Sequence, residues 1–396
     1  MRILFISRCP PYPLHLGDRL ILYHLARELA AQGHTLDLLA YNDRPDLPDE
    51  REAYASFFGS IQIFSAPIRS IASMLRRVIM PSARFPNAAQ QSWSPDMWQA
   101  IKSQVTANRY DVAHLFGGIH VYEFAHLLRN LPTLITPYES YSLYLQREAQ
   151  AGAAAKSSFM QQRAAQAYER FMFAPYRRIV VLSEQDRAAL LALNPALQVA
   201  VIPNGIDLSR FPLPDEYAPR TQQVIFTGNY EYPPNQDAAL LLAAEIFPKI
   251  RAKLPDARLA LVGNAPTPEM KALADGHIQV VGRVPDVGAS LRDAQVFACP
   301  LRYGAGIKNK VLEAMASGCA VAATPLSMEG IDAVDGTHAL IREIEQLPDA
   351  ITLLLTDHAL RGKIAAHART LIEARYTWEQ VAKAYQKLYE TVTISI

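Results

Sequence analysis

The sequence predicts an α/β protein built as two doubly wound, parallel-sheet domains in tandem, and three observations predict it. Short apolar runs rich in β-branched residues alternate with stretches of helical period. The alternation lapses near residues 203–222, where PNGIDLSRFPLPDEYAPRTQQ is polar and proline-rich, and then begins again. The length, 396 residues, exceeds one ordinary core and suits two.

In the first half the strands are RILFIS (2–7), TLDLLA (35–40), DVAHLF (111–116), TLIT (133–136) and RIVVLS (178–183). Each is a continuous apolar run, as a strand covered on both faces requires. Between the first two, a helix over 18–32 places Leu22, Leu25, Ala26 and Leu29 on one face, with Gly33 as its stop. The alanine-rich stretch 141–173 predicts one long helix, since alanine is the strongest helix former. In the second half, VIFTG (224–228), RLALVG, IQVVGRV, QVFACPL and CAVAAT are strands, and NQDAALLLAAEIFPKIRAKL is a helix. Strand–helix alternation implies right-handed crossovers and a parallel sheet. The boundaries expected are 1–205 and 206–376, with a last helix in 377–396 packing back on the first domain. Two such domains would face a cleft, where ligands meet strand ends.

Composition narrows the function. Half the residues are hydrophobic, which excludes general disorder. Lys plus Arg number 39 against 38 Asp plus Glu, a balance unlike that of a dedicated nucleic-acid binder. Through residue 205 there are 20 basic and 16 acidic side chains, and beyond it 19 and 22, so the first half leans toward an anionic surface or the split is chance. Cys9, Cys299 and Cys319 form no CxxC pair, and neither a disulfide framework nor a zinc site follows. With no signal-peptide core and no apolar run of membrane-spanning length, the expected location is cytoplasmic, or peripheral on a membrane. The segment 68–85 bears on the second choice: Ile68, Ile71, Leu75, Val78 and Ile79 share a face, with Arg69, Arg76, Arg77 and Arg84 around it. Such a helix either lies on an anionic membrane or covers the sheet with its arginines in water.

The most informative stretch is CPLRYGAGIKNKVLEAMASGCAVAATP, 299–325. A strand runs into the glycine turn Tyr303–Gly304–Ala305–Gly306–Ile307 and a helix expected to start near Ile307. Unpaired N–H groups and the positive dipole end at a helix start make an anion site. Lys308 and Lys310 add charge where a helix start disfavours it, which a phosphate would offset. Glu313 follows on an otherwise apolar helix beside Val311, and a carboxylate there either accepts hydrogen bonds from a vicinal diol such as a ribose or serves a salt bridge.

EAMASGCAVAAT with its preceding glycine turn, together with IPNGID at 202–207, resembles the donor-site signature of the family 4 glycosyltransferases. FTG, LVGNAP and VGRVPDV extend the likeness over most of the chain. GAGIKNK with YEYPPNQDA resembles a bacterial subgroup associated with exopolysaccharide and exosortase gene systems. The resemblance implies the GT-B fold, two Rossmann-like domains facing a cleft, and transfer of a sugar from a nucleotide diphosphate sugar to a polysaccharide or lipid-linked acceptor. It implies that Glu313 binds the ribose, that Arg283 and Val284 line the nucleobase, and that Tyr303–Ile307 hold phosphate and sugar hydroxyls. Gly228 and Asn229 open the second domain on the donor side, and Gly17 and Asp18 match the glycine loop at the reaction centre. Two departures accompany the likeness. Ala305 stands where the family often has a glutamate, and GNYEYPPNQD lacks the usual Arg and Lys, so Lys308 and Lys310 are expected to supply the missing charge.

No DxD-type pair and no metal-ligand spacing occurs, so metal-independent transfer without a cofactor is expected, with lysines and backbone dipoles stabilising the leaving diphosphate. The family implies retention of anomeric configuration, the leaving phosphate taking the acceptor proton. Asp18 either orients an acceptor hydroxyl or caps helix 18–32. His114, expected at a strand end toward the cleft, is either catalytic or a structural histidine; His120 and Glu139 carry the same alternatives, and His34 reads as structural. Tyrosines in PYESYSLY (138–144) either line the acceptor side or are packed. Two other functions fit the architecture: a sugar-nucleotide epimerase, and a non-catalytic nucleotide-sugar-binding scaffold. A dinucleotide dehydrogenase does not, because SRCPPYPLHLGD lacks GxGxxG.

Overall fold

The computed structural model describes residues 1–14, 17–46, 50–68, 75–77, 79–118, 120–152, 159–213 and 223–394. Two compact units divide the chain: unit 1 is Met1–Pro203 with Trp378–Ile396, and unit 2 is Asn204–Thr377. The first crossing lies two residues before the expected boundary.

Unit 1 carries a parallel sheet of β1 (Arg2–Ser7), β2 (Thr35–Asn42), β3 (Ser60–Ser65), β4 (Val112–Phe116), β5 (Thr133–Tyr138), β6 (Arg178–Val181) and β7 (Val199–Val201), in the order β3-β2-β1-β4-β5-β6-β7. Its main helices are α1 (Gly17–Ala31), α2 (Pro95–Ala107), α3 (Tyr141–Gln150), α4 (Phe159–Met172) and α5 (Glu184–Leu193). The strand order reverses between β1 and β4, and there the crevice at the strand ends opens. The central strands are buried along nearly their whole length, which is why they read as continuous apolar runs. The edge strands β3 and β7 were not expected. They are half-exposed, so neither carries such a run.

The single helix expected over 141–173 is two helices. Gly152, at φ 69°, closes α3 in a left-handed turn that alanine propensity does not reveal. The pair pack through buried Glu169 of α4, whose carboxylate accepts hydrogen bonds from Ser140 Oγ (3.1 Å) and from the Ser142 N–H (3.2 Å) at the start of α3. Of the basic segment 68–85, residues 69–74 and 78 lie outside the described residues. Within the rest, Ile68 and Ile79 are exposed, whereas Arg77 turns inward to pair with buried Glu123. No helix among the described residues is long and apolar enough to cross a membrane.

Unit 2 repeats the plan with β8 (Gln223–Thr227), β9 (Arg258–Val262), β10 (Ile278–Gly282), β11 (Val296–Cys299), β12 (Ala320–Ala323) and β13 (Leu340–Ile341), all parallel, ordered β10-β9-β8-β11-β12-β13. The order reverses between β8 and β11. Helix α6 (Pro233–Leu241) continues through a π turn, Leu242–Ile246, into α7 (Phe247–Lys253); α8 is Val287–Asp293, α9 Asn309–Ala316, α10 Leu347–Thr356 and α11 His358–Arg375. Entry to and exit from the unit are pinned together: Ile206 N–H donates to the Tyr376 carbonyl (2.6 Å), and Ile206 bridges Thr377.

The last helix, α12 (Trp378–Ile394), belongs to unit 1 and packs along α1. Trp378 stacks on His24 of α1 with ring centroids 4.8 Å apart, and Tyr385 and Tyr389 are buried. Trp378, Val381, Ala382, Tyr385, Tyr389 and Val392 form one buried stripe at helical spacing along α12, the face it turns into unit 1.

Candidate functional site

In unit 2 the residues singled out by the sequence collect at the β8–β11 reversal. β8 ends at Thr227 and passes into Gly228 and Asn229; β11 ends at Cys299 and passes into the loop that precedes α9. Gly304 (φ 130°) and Gly306 (φ 67°) carry this loop through left-handed backbone, which glycine enters without a Cβ clash. The turn therefore runs longer than expected. Lys308 is extended, at φ −98° and ψ 91°, so α9 begins at Asn309 rather than near Ile307.

The two lysines consequently differ. Lys308 precedes the helix, is buried, and curls its ammonium onto the carbonyls of Ala305 (3.1 Å) and Gly306. Lys310 lies in the first turn and donates to Asn235 Oδ1 from α6, its ammonium 4.8 Å from the centroid of the Phe226 ring. Burial pushes its pKa down to about 8; Cys299 and Glu313 work in the other direction. Glu313, one turn further along α9, has a carboxyl raised above its usual range by burial, with Arg210 and Lys310 opposing the shift. Tyr303, Ala305 and Ile307 are buried in the turn, and Val311 is buried under α9.

Gly228 and Asn229 sit on the other side of the reversal. A Cβ at Gly228 would lie 3.0–3.2 Å from the Asn235 side chain, and a Cβ at Gly263 only 1.7 Å from the Gly228 carbonyl oxygen. Asn229 takes hydrogen bonds at its side-chain oxygen from Asn264 Nδ2 and the Glu231 N–H, both 3.3 Å. Arg283 and Val284 follow β10, the edge strand two places from β8, and the carbonyl of Gly282 just before them accepts from the Gly263 N–H (2.8 Å); Arg283 is exposed and Val284 half-buried.

In unit 1, Gly17 opens α1 and Asp18 is buried beside it. Asp18 Oδ2 accepts from Arg8 Nε (2.6 Å), and Arg8 follows β1 directly. The stem of Arg8 crosses Gly117 and Gly118, after β4; a Cβ on Gly117 would be 2.6 Å from the Tyr138 ring and 2.9 Å from Arg8 Cδ. Tyr138 itself holds φ 74°, an uncommon conformation for a residue with a side chain. Arg8, Asp18, Gly117 and Tyr138 thus gather at the reversal of the unit-1 sheet.

His114 does not join them, which corrects the expected placement at a strand end. It is the third of the five residues of β4 and fully buried, its Nδ1 2.7 Å from Tyr389 Oη and its Nε2 2.7 Å from Thr136 Oγ1. Burial holds its pKa well below the usual value, so the ring is neutral. A side chain enclosed in this way on both ring nitrogens is a core histidine.

The model of Glycosyltransferase Family 4 matches residues 20–210, and that of Glycosyl transferases group 1 matches residues 221–357. The chain belongs to the family 4 glycosyltransferases. It is 32% identical over 203 residues to a phosphatidyl-myo-inositol mannosyltransferase of Mycolicibacterium smegmatis, a match over 48% of this chain and 52% of that protein. The chain therefore spans about half the length of the curated relatives it matches. Among solved structures, sucrose-phosphate synthase of Thermosynechococcus elongatus superposes with a TM-score of 0.73 at 19% identity over 100% of both chains. Anabaena HepE in complex with UDP superposes with a TM-score of 0.70 at 14% identity, over 99% of this chain and 100% of that one. These likenesses show the GT-B fold of two Rossmann-like α/β units.

For a family 4 glycosyltransferase, two residues stand out that sequence reasoning missed. Asn235 reads as an ordinary polar residue after two prolines; only its contacts with both sides of the β8–β11 reversal mark it. Arg8 follows a strand, and the signal available for it was the nearby Asp18, whose partner it is.

Proposed function

We propose that this family 4 glycosyltransferase moves a sugar from a nucleoside diphosphate sugar to a polysaccharide or lipid-linked acceptor, with retention of anomeric configuration and without a divalent metal. The observation that carries this is the Lys310 ammonium, tied to Asn235 at the sheet reversal of unit 2, with the Glu313 carboxylate one turn along the same helix. A cation and helix N–H groups at a strand-end crevice suit a diphosphate, and a carboxylate suits the two hydroxyls of a ribose.

In this chemistry the bond from the anomeric carbon to the acceptor oxygen forms as its bond to the diphosphate oxygen breaks. The acceptor proton passes to the departing phosphate on the same face of the sugar. Lys310 and the turn's backbone donors stabilise the negative charge that develops on the diphosphate. Lys308 contributes by holding the turn through the carbonyls of Ala305 and Gly306. The enclosure of His114 supports the absence of that ring from proton transfer. On the acceptor side, Asp18, held by Arg8, orients a hydroxyl. The UDP complex of Anabaena HepE supports a nucleoside diphosphate donor, and the phosphatidyl-myo-inositol named for the mycobacterial relative supports a lipid-linked acceptor. The GAGIKNK and YEYPPNQDA motifs support a place in exopolysaccharide assembly.

A thermal-shift screen of nucleoside diphosphates and their sugar conjugates, in the presence of EDTA, tests the proposal. A specific ligand raises the apparent stability by binding the native state. One of them is expected to stabilise the protein without metal. No stabilisation by any, or stabilisation only with added Mg²⁺ or Mn²⁺, would overturn the proposal as stated.

A further inference from the structure

Asn235 stands where several constraints meet. Its Nδ2 donates to the Asn229 carbonyl (2.8 Å), its backbone N–H to the Tyr232 carbonyl (2.9 Å), and its Oδ1 accepts from Lys310, 75 positions away in sequence. Only 7% of the residue is exposed. The bond to the Asn229 carbonyl fixes which way the amide faces. Exchanging its oxygen and nitrogen would set a carbonyl against a carbonyl and an NH₂ against an ammonium.

The backbone around it is shaped to admit this side chain. A Cβ at Gly228 would press on the Asn235 side chain at 3.0–3.2 Å, and Gly263 has no room for one beside the Gly228 carbonyl. Two glycines thus bring the end of β9 against the end of β8, and α6 lays Asn235 across the end of β8.

We propose that Asn235 is a positioning residue, holding the Lys310 ammonium over the β8–β11 reversal in the orientation that meets the diphosphate of the donor. The inference rests on the donor-site function proposed above and names the group that makes that site work. A lysine side chain in water samples many rotamers, and ordering it before the ligand arrives removes that cost from binding. An ammonium has three N–H donors, so the bond to Asn235 leaves two for phosphate oxygens. The groups that face Lys310 are Glu313 on α9, Lys308 just before it and the Cys299 thiol at the end of β11. Phe226 of β8 contributes its ring face. An acceptor oxygen on the charged amine works against the burial that lowers its pKa to about 8.

The test is calorimetric titration of UDP, GDP and ADP, and of their monophosphates, into wild type, Asn235→Ala and Asn235→Asp from about pH 6.5 to 9.5. Wild-type affinity for the preferred diphosphate is expected to fall above about pH 8, as Lys310 loses its proton. In Asn235→Ala the affinity drops by about tenfold and the falling limb moves to lower pH, because the ammonium has lost its acceptor. In Asn235→Asp the limb moves to higher pH, because a carboxylate favours the charged amine. This nearly isosteric variant gives a result even where the alanine variant folds poorly. The monophosphate binds wild type and variants alike. A merely structural Asn235 would leave the pH limb in place, or weaken mono- and diphosphate equally, and either result overturns the inference. Failure of wild type to bind any of the three diphosphates overturns the donor-site function and this inference together; unchanged binding by both variants overturns the positioning role alone.

Discussion

Replacing His114 by alanine separates a core histidine from a catalytic one. The substitution strands two buried hydroxyls, Tyr389 Oη and Thr136 Oγ1, each 2.7 Å from a ring nitrogen. Leaving a buried polar group without its partner costs about 1–3 kcal/mol, so the two together remove about 4 kcal/mol before the void is counted. The loss also depends on pH. The folded pKa lies well below the ordinary 6.5, so the native state stays neutral while the unfolded chain takes up a proton. Wild-type stability from this group is full above about pH 6.5 and declines below it, by about 1.4 kcal/mol at pH 5.5. The gap between wild type and His114→Ala should therefore narrow by that amount on acidification. Urea unfolding followed by tryptophan emission reads it directly, because Trp93, Trp98 and Trp378 all belong to unit 1. Donor hydrolysis per folded molecule should be retained. Loss of turnover by orders of magnitude with an unmoved unfolding midpoint would refute the argument.

Other substitutions address the donor side. Glu313→Ala should weaken nucleoside diphosphate binding by roughly tenfold to a hundredfold, the scale of one or two charge-assisted hydrogen bonds, while inorganic pyrophosphate binding changes little; calorimetry on the two ligands separates these. Lys310→Ala should depress donor binding more than Lys308→Ala, whose ammonium is engaged with the turn carbonyls; equal losses in side-by-side titrations would contradict that division. Gly263→Ala places a methyl group 1.7 Å from a carbonyl oxygen, so it should unfold unit 2 or abolish nucleotide binding, scored by proteolysis and calorimetry. Sugar transfer should proceed at the same rate in excess EDTA, and an assay that stops on chelation would exclude the metal-free mechanism.

The α/β order was legible because β1, β4, β5, β8, β9 and β11 are buried on both faces and therefore spell unbroken apolar runs. The edge strands β3 and β7 were not, since a half-exposed strand obeys no such rule. The break at Gly152 was hidden by alanines whose propensity favours helix on either side. Site residues were legible where a local motif constrained them, as in the glycine turn before α9. They were not where the decisive contact is distant. His114 is defined by Tyr389, 275 positions on, and Lys310 by Asn235, 75 positions back. The opposite orientations of Lys308 and Lys310 follow from how long the turn runs before the helix begins, which residue type alone does not set.

The placement of α12 bears on how the molecule is made. The ribosome delivers the whole of unit 2 before it delivers the seventeen-residue helix that covers His24 and His114. The N-terminal half must therefore wait, incompletely sealed, while some 170 residues emerge and fold in the interval. A nonsense codon near position 378 would spare the later-made unit and cripple the earlier one.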